Sequence, residues 1–349
     1  MKRFWRKSRR ACSLPWKRND MYDEAVLLLG RHFFCLNAER LGICVLSMPS
    51  YIHIIIDGKK EGMNLRDQLQ RLLQERIEFY TSDNQERSER KSHLKKELMR
   101  TREAEIVRVN AAGKVQSSKK EDTDTVLTYQ VHLQYLLKQE DSFYIEEEME
   151  EREARFRNGY LVDERELVPN LETEAEPQTW DAGAERLAYK YERMKAVQYA
   201  ERWWNEFNPE YYKFTDDCTN FISQCLHAGG IPMWGTPNKN KGWWIRGKSW
   251  SYTWTTAHSL YHLLKAGNGI RTKQVGSAQE LNLGDILCID FEGDGRFDHN
   301  LIVTAKDQEG MPLVNAHTMN SRHRYWTYED STRYTPNIVY KFFVILDGS

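Results

Sequence analysis

The chain has 349 residues, long enough for two domains that each bury a core of ordinary size. Its 50 Lys and Arg against 51 Asp and Glu leave a formal charge of -1, so no global basic field points to nucleic acid. The six cysteines (Cys12, Cys35, Cys44, Cys218, Cys225 and Cys288) show neither the CxxC spacing of zinc sites nor the density of a disulfide scaffold. Free thiols are expected, and function has to come from a local site.

Residues 1–62 form a leader of uncertain role, with Met48 and Met63 as alternative starts. Lys2, Arg3, Arg6, Lys7, Arg9 and Arg10 imitate the basic end of a signal peptide, but Arg31, His32, Glu39 and Arg40 break the apolar run that should follow. No cleavable signal peptide is expected, which leaves the cytoplasm or the cell envelope as compartment. Leu41 to Ile56 is uncharged but short for a span and is interrupted by Pro49 and His53. It reads as a buried helix and strand, with a weak membrane anchor as the alternative.

Residues 63–166 read as a small α+β domain of unknown role. Leu65, Leu69, Leu72, Leu73 and Ile77 recur at helical steps. Asn84 to Arg102 is so highly charged that an exposed helix or connector is expected. Strand patterns follow at Ala104–Val115, with a turn expected at Ala111-Ala112-Gly113-Lys114, and at Tyr129–Tyr135 after a loop, where the alternation points His132 to water. The acidic run Glu146 to Glu153 reads as a solvated face, not a cation site.

Residues 167–183, with Pro169 and Pro177, read as a linker, and 184–349 as the second domain. A helix is expected over Ala184 to Phe207, ended by Asn208-Pro209. Thr215 or Asp216 can then cap a helix that places Cys218 in its first turn, where unpaired N–H groups and the macrodipole favour a thiolate. Asp216 and Asp217 oppose that effect. Gly229-Gly230 ends the helix. Leu283 to Phe291, then His299 to Thr304, then Pro312 to His317 read as three strands; His299 begins the second, and Asn315 and His317 share one face of the third.

A helix-borne cysteine, a strand-borne histidine and a polar group on the next strand make a Cys-His-polar triad: Cys218 as nucleophile, His299 as base, and His317 as orienter with Asn315 as the alternative. The N–H of Cys218 would supply one oxyanion donor, with a second from an unidentified upstream residue.

Asp217-Cys218-Thr219-Asn220-Phe221-Ile222-Ser223-Gln224, Gly229-Gly230-Ile231-Pro232-Met233, Leu283-Gly284-Asp285-Ile286, Asp290 to His299 and Ala316-His317-Thr318 closely resemble the bacterial putative amidase domain. That family is related to the NlpC-type and CHAP-type cell-wall cysteine hydrolases of papain-like fold. The resemblance covers roughly residues 184–345. It implies an α+β, papain-like domain with the nucleophile helix on an antiparallel sheet, and a cysteine amidase or peptidase acting on bacterial cell-wall peptides. Relatives often carry a small apolar residue where this chain has Asn300.

Other readings of the same residues are weaker. Asp290, Glu292, Asp294, Gly295 and Asp298 imitate a calcium loop, but Leu301 stands where a glutamate belongs, so a hairpin turn is expected. Zinc through Cys218, His299 and His317 lacks a fourth ligand. No metal or cofactor is therefore expected. Trp243, Trp244, Trp250 and Trp254 fall in an irregular segment and would line a stacking groove for a peptide or peptidoglycan-derived substrate. His258 and His262 read as a packed pair. A non-catalytic binder of cell-wall fragments, or an acyltransferase using the same Cys and His, are the alternatives to hydrolysis.

Overall fold

A computed structural model describes residues 52–55, 63–82, 89–168 and 187–348. The readings of the leader and of most of the linker fall outside these residues. Of the Leu41 to Ile56 segment, strand β1 (Ile52–Ile55) is described.

Two helices come first, α1 (Met63–Thr81) and α2 (Arg90–Thr101). They precede the long strands β2 (Ala104–Glu121), β3 (Asp124–Gln139) and β4 (Ser142–Arg157), and the short β5 (Tyr160–Glu166). Leu69, Leu73 and Ile77 of α1 pack with Val109, Val131 and Leu133 of the strands, as the helical spacing predicts. The expected turn at Ala111–Lys114 is absent: this stretch pairs Ala111 with Leu133 and Gly113 with Val131, and β2 runs unbroken to Glu121. The chain reverses only at Asp122 and Thr123, where Asp122 adopts φ +52°.

After the segment at 169–186 come α3 (Arg193–Trp203) and α4 (Cys218–Ala228). The expected helix from Ala184 is shorter than its pattern: the Tyr191 N–H donates to Asp347 and the Glu192 N–H to the Gly229 carbonyl, which holds residues 191 and 192 out of a helix. Next follow β6 (Ile245–Arg246), β7 (Ser249–Trp250), α5 (Tyr252–Thr255), α6 (Ala257–Ala266) and β8 (Thr272–Val275). The last strands are β9 (Ile286–Asp290), β10 (His299–Lys306), β11 (Pro312–Ala316), β12 (Ser321–Tyr325) and β13 (Val339–Ile345).

Among the described residues, one eleven-stranded sheet runs through both halves in the order β1-β2-β3-β4-β12-β11-β10-β9-β13-β8, with β5 on β4. Only β1 pairs parallel; the other ladders are antiparallel. The expectation of α+β thus takes the form of a mixed protein with one large antiparallel sheet and few helices. The halves join where Ser321 and Arg322 of β12 pair with Glu148 and Glu147 of β4. Around β9 and β10 the period of two sorts the core. Ile286, Cys288 and Ile302 face α3, α4 and the tryptophans, while Leu287, Ile289, Leu301 and Val303 face the opposite side with Phe291 and Tyr328.

Two charged stretches differ from their reading as solvated surface. Glu146, Glu147, Glu148 and Glu150 of β4 are buried, and so are Lys91 and Lys95 of α2. Lys95 reaches Glu146 at 2.6 Å, Glu148 at 3.1 Å and Asp330 at 2.9 Å. Six cations (Arg76, Lys91, Lys95, Arg102, Arg152, Arg324) and eight carboxylates (Glu89, Glu146, Glu148, Glu150, Glu164, Glu166, Asp307, Asp330) form one connected network. Buried charge is tolerated only when paired in this way. His132, expected to face water, lies 2.7 Å from Glu147 and is only partly exposed.

Candidate active site

Helix α4 begins at Cys218, and its N-cap residue, Asp217, makes no side-chain cap bond. The cap comes from the turn after β11. Thr318 Oγ1 accepts the N–H of Asp217 at 2.8 Å and of Cys218 at 3.0 Å, and donates to Asp216 at 3.0 Å. Thr318 holds φ +72°, a strained conformation for a β-branched residue and one that concentrates at functional sites. Two adjacent N–H groups therefore converge on one oxygen beside the cysteine. The sequence leaves a second N–H beside that of Cys218 unidentified; here the Asp217 N–H shares its acceptor, and its position at the helix start, next to Cys218, was the available signal.

Cys218 is buried, with its thiol 3.6 Å from Thr219 Oγ1 and 3.9 Å from the Asp298 carbonyl. Burial first, and the Asp216 carboxylate second, push the thiol well above its ordinary pKa. Burial raises Asp216 as well. The resting site holds a thiol, not a thiolate.

The three partners expected for Cys218 lie as follows. His299 pairs with Ile289 and packs with Phe291 and Tyr328, on the sheet face away from α4. Both of its ring nitrogens are buried without a hydrogen bond, and burial, then the charges of Arg333 and Arg324, lower its pKa to about 3. His317 lies on the α4 side. Its ring stacks on Phe221 at 4.0 Å, Nδ1 is 2.7 Å from Asp217 Oδ2, and Nε2 is 2.6 Å from the Trp203 carbonyl. Asn315 Oδ1 accepts from the Thr304 hydroxyl and the His323 N–H, while its amide donates to Glu201. The structure thus joins His317 to Asp217, the residue before Cys218, while His299 lies on the other sheet face and Asn315 is bonded to Thr304, His323 and Glu201. In this arrangement the Cys218–His299 and His299–His317 hydrogen bonds of the expected triad are not made, and the three residues do not converge on a common zinc position.

A cleft of about 660 Å³ opens against Asp217 and Thr318, with Phe207 and Phe214 beside them. The expected tryptophan groove is not part of it. Trp243, Trp244 and Trp254 are buried, with their indole N–H groups bonded to Ser223 Oγ, the Lys241 carbonyl and Asn220 Oδ1. An irregular segment can bury neighbouring tryptophans when it also supplies acceptors for them. Trp250 is partly exposed and stacks on Tyr212 at 5.2 Å, again outside the cleft lining.

At the hairpin between β9 and β10, the carboxylates of Asp290, Glu292 and Asp298 approach within 4.8 Å of one another, close enough for a cation. Asp290 accepts the N–H groups of Gly293 and Gly295, and Asp298 that of Phe291, which are turn-forming bonds. His258 and His262 meet at 3.1 Å between ring nitrogens, as a pair one helical turn apart.

Comparison with known proteins adds the family. Residues 190–343 match the family model described as putative amidase domain. The chain is 45% identical over 308 residues to YhbB of Bacillus subtilis (strain 168), described as uncharacterized, covering 82% of this chain and 98% of that protein. It is 33% identical over 140 residues to YjcM of the same organism, also described as uncharacterized, covering 37% of this chain and 31% of that protein. No solved structure matches.

Proposed function

The chain belongs to the family of YhbB and carries a putative amidase domain, and on that premise we propose that it hydrolyses amide bonds with Cys218 as nucleophile. The observation that carries this reading is the pair of N–H groups at the start of α4, 2.8 and 3.0 Å from a single oxygen. Thr318 Oγ1 stands in for a carbonyl oxygen that becomes an oxyanion when the adjacent thiol attacks, and donors at these distances suit that charge.

His317 takes the proton-handling role, because its ring stacks on Phe221 of α4 and is held by Asp217, the carboxylate–imidazole pairing that fixes a catalytic tautomer. Both of its partners are acceptors, so both hydrogen bonds need the doubly protonated ring. In the tautomer that keeps Nδ1–H on Asp217, Nε2 is the acceptor. The step requires Nε2 to leave the Trp203 carbonyl for the thiol, whose proton then passes to it as sulfur bonds to the carbonyl carbon. It then goes to the leaving amine as the C–N bond breaks, and water cleaves the thioester. Peptides of the bacterial cell wall are the preferred substrate by family resemblance.

A second assignment keeps His299 as the base and is favoured by its two unpartnered nitrogens; it needs the start of β10 to present the opposite face. Amide release from purified cell wall and from short peptides separates the readings. Cys218→Ala should abolish it. His317→Gln should lower kcat at least about a hundredfold, the usual contribution of a positioned acid–base group, and His299→Gln should leave it within about threefold. A His299→Gln loss as large as that of Cys218→Ala would give the base role to His299. Unchanged turnover in Cys218→Ala would end the thiol mechanism.

A further inference from the structure

Thr219 and Asn300 both bond the Cys218 sulfur and have no part in the proposed mechanism. Asn300 follows His299 on β10 and pairs with Cys288, so it points to the sheet face that packs on α4. It is fully buried, and its amide is only half used: Nδ2 donates to Thr219 Oγ1 at 3.0 Å, while Oδ1 is enclosed without a hydrogen bond. An unpaired buried oxygen costs stability, and a leucine of similar volume would avoid that cost, so packing gives no reason for an asparagine here. Turning the amide over would strand two N–H hydrogens in place of one oxygen. With Nδ2 as donor, the Thr219 hydroxyl accepts from Asn300 and keeps its own hydrogen for the Cys218 sulfur, 3.6 Å away. The thiol hydrogen has the Asp298 carbonyl at 3.9 Å. Burial and then the Asp216 carboxylate hold the thiol up; the Thr219 hydroxyl and the backbone N–H of Asn300, which also reaches the sulfur, act the other way.

We propose that Asn300 and Thr219 are the positioning residues of the Cys218 sulfur: the Asn300 amide orients the Thr219 hydroxyl, and the hydroxyl holds the sulfur with a donor that stays when the thiol proton leaves. This deepens the amide-hydrolase reading and rests on its choice of nucleophile. A donor binds a charged acceptor more strongly than a neutral one, so the contact tightens as the sulfur ionises and attacks. Neither side chain exchanges a proton with the substrate.

Two rates on the same variants test the proposal: alkylation of Cys218 by iodoacetamide as a function of pH, read by mass spectrometry of its peptide, and amide release. Thr219→Val keeps the shape and removes the hydroxyl. It should slow alkylation about tenfold, which moves the rate-against-pH curve up by about one pH unit, the worth of one hydrogen bond to a charged group. Turnover should lose a similar factor in kcat with KM within about twofold, as for a contact made in the transition state. Thr219→Ser should restore both rates to within about threefold, which a role in packing alone would not do. Asn300→Leu should be at least as stable in urea as the wild type, yet slow alkylation at least about threefold. Added to Thr219→Val it should change the rate by less than about twofold, because the amide acts through the hydroxyl. The Thr219 pair reports even if Asn300→Leu does not fold. Wild-type alkylation in Thr219→Val, no recovery in Thr219→Ser, fully additive losses, or a Cys218 that resists alkylation at every pH would each overturn the proposal. Alkylation that follows these substitutions without any amide release would sink the hydrolase reading and leave the positioning intact. Amide release that needs Cys218 but ignores Thr219→Val would do the reverse.

Discussion

Replacing His299 by leucine turns an oddity of the core into a measurement. The ring is fully buried and neither nitrogen is hydrogen-bonded, so protonating it means charging an enclosed group beside Arg333 and Arg324. Its pKa falls from 6.5 to about 3 on folding. A base with a lowered folded-state pKa is protonated first in the unfolded chain, so stability is lost as pH falls from about 6.5 towards 3. The loss reaches about 1 kcal/mol at pH 5.5 and about 3 kcal/mol at pH 4, from the conversion of a pKa difference into free energy. His299→Leu removes this dependence and leaves every other titrating group in place. Urea unfolding of both proteins at pH 7, 5.5 and 4 should show the variant at least as stable at neutral pH. Its advantage should widen by about 3 kcal/mol at pH 4. A constant difference would refute a buried neutral ring. A reversed trend, with the wild type gaining on acidification, would refute it more sharply, because an imidazolium paired with the Cys218 thiolate has a raised pKa and gives that sign.

The ion network and the tryptophans make two further predictions. Lys95→Met strands Glu146, Glu148 and Asp330 in the interior, and unfolding at pH 7 should cost about 3–5 kcal/mol less than in the wild type; a change under about 1 kcal/mol would mean that these carboxylates reach water. Trp243→Ala should destabilise by about 3–5 kcal/mol and Trp250→Ala by clearly less, since the first indole is fully enclosed and the second is not. Equal losses in denaturant midpoints at unchanged slope would contradict that difference.

The elements that sequence patterning captured are those whose burial is decided locally. The stripe Phe221, Ile222, Cys225 and Leu226 on α4, and the alternation of Leu287, Ile289, Leu301 and Val303, carry their apolar periods in consecutive residues. The acidic strand β4 was opaque because the cations that bury it lie far along the chain: Lys95 is 51 residues before Glu146 and Lys91 is 59 before Glu150. Charge reads as solvated until its partners are known. The site was legible as residue types but not as faces. Period alone shows that Asn315 and His317 share a side; the register that sets Ile302 opposite Asn315 puts Asn300, not His299, on that side as well. The Ala111–Lys114 turn failed for a related reason, since Gly113 without positive φ pairs as comfortably as any strand residue. Similarity to the amidase family located the segment, and the three-dimensional register showed which of its histidines lies on the sheet face that packs against α4.

On the proposed mechanism the Thr318 hydroxyl occupies the place of the incoming carbonyl oxygen, and it also ties down Asp216. That mechanism gives the protein an internal competitor for its own site. A ligand must evict a tethered group whose effective concentration is fixed by the fold, so apparent affinity understates intrinsic contact strength, and the stability of the turn and the occupancy of the site are opposed. Sequences that weaken this tether would gain in binding what they lose in resilience, a trade that selection can tune at one residue without touching Cys218 or His317.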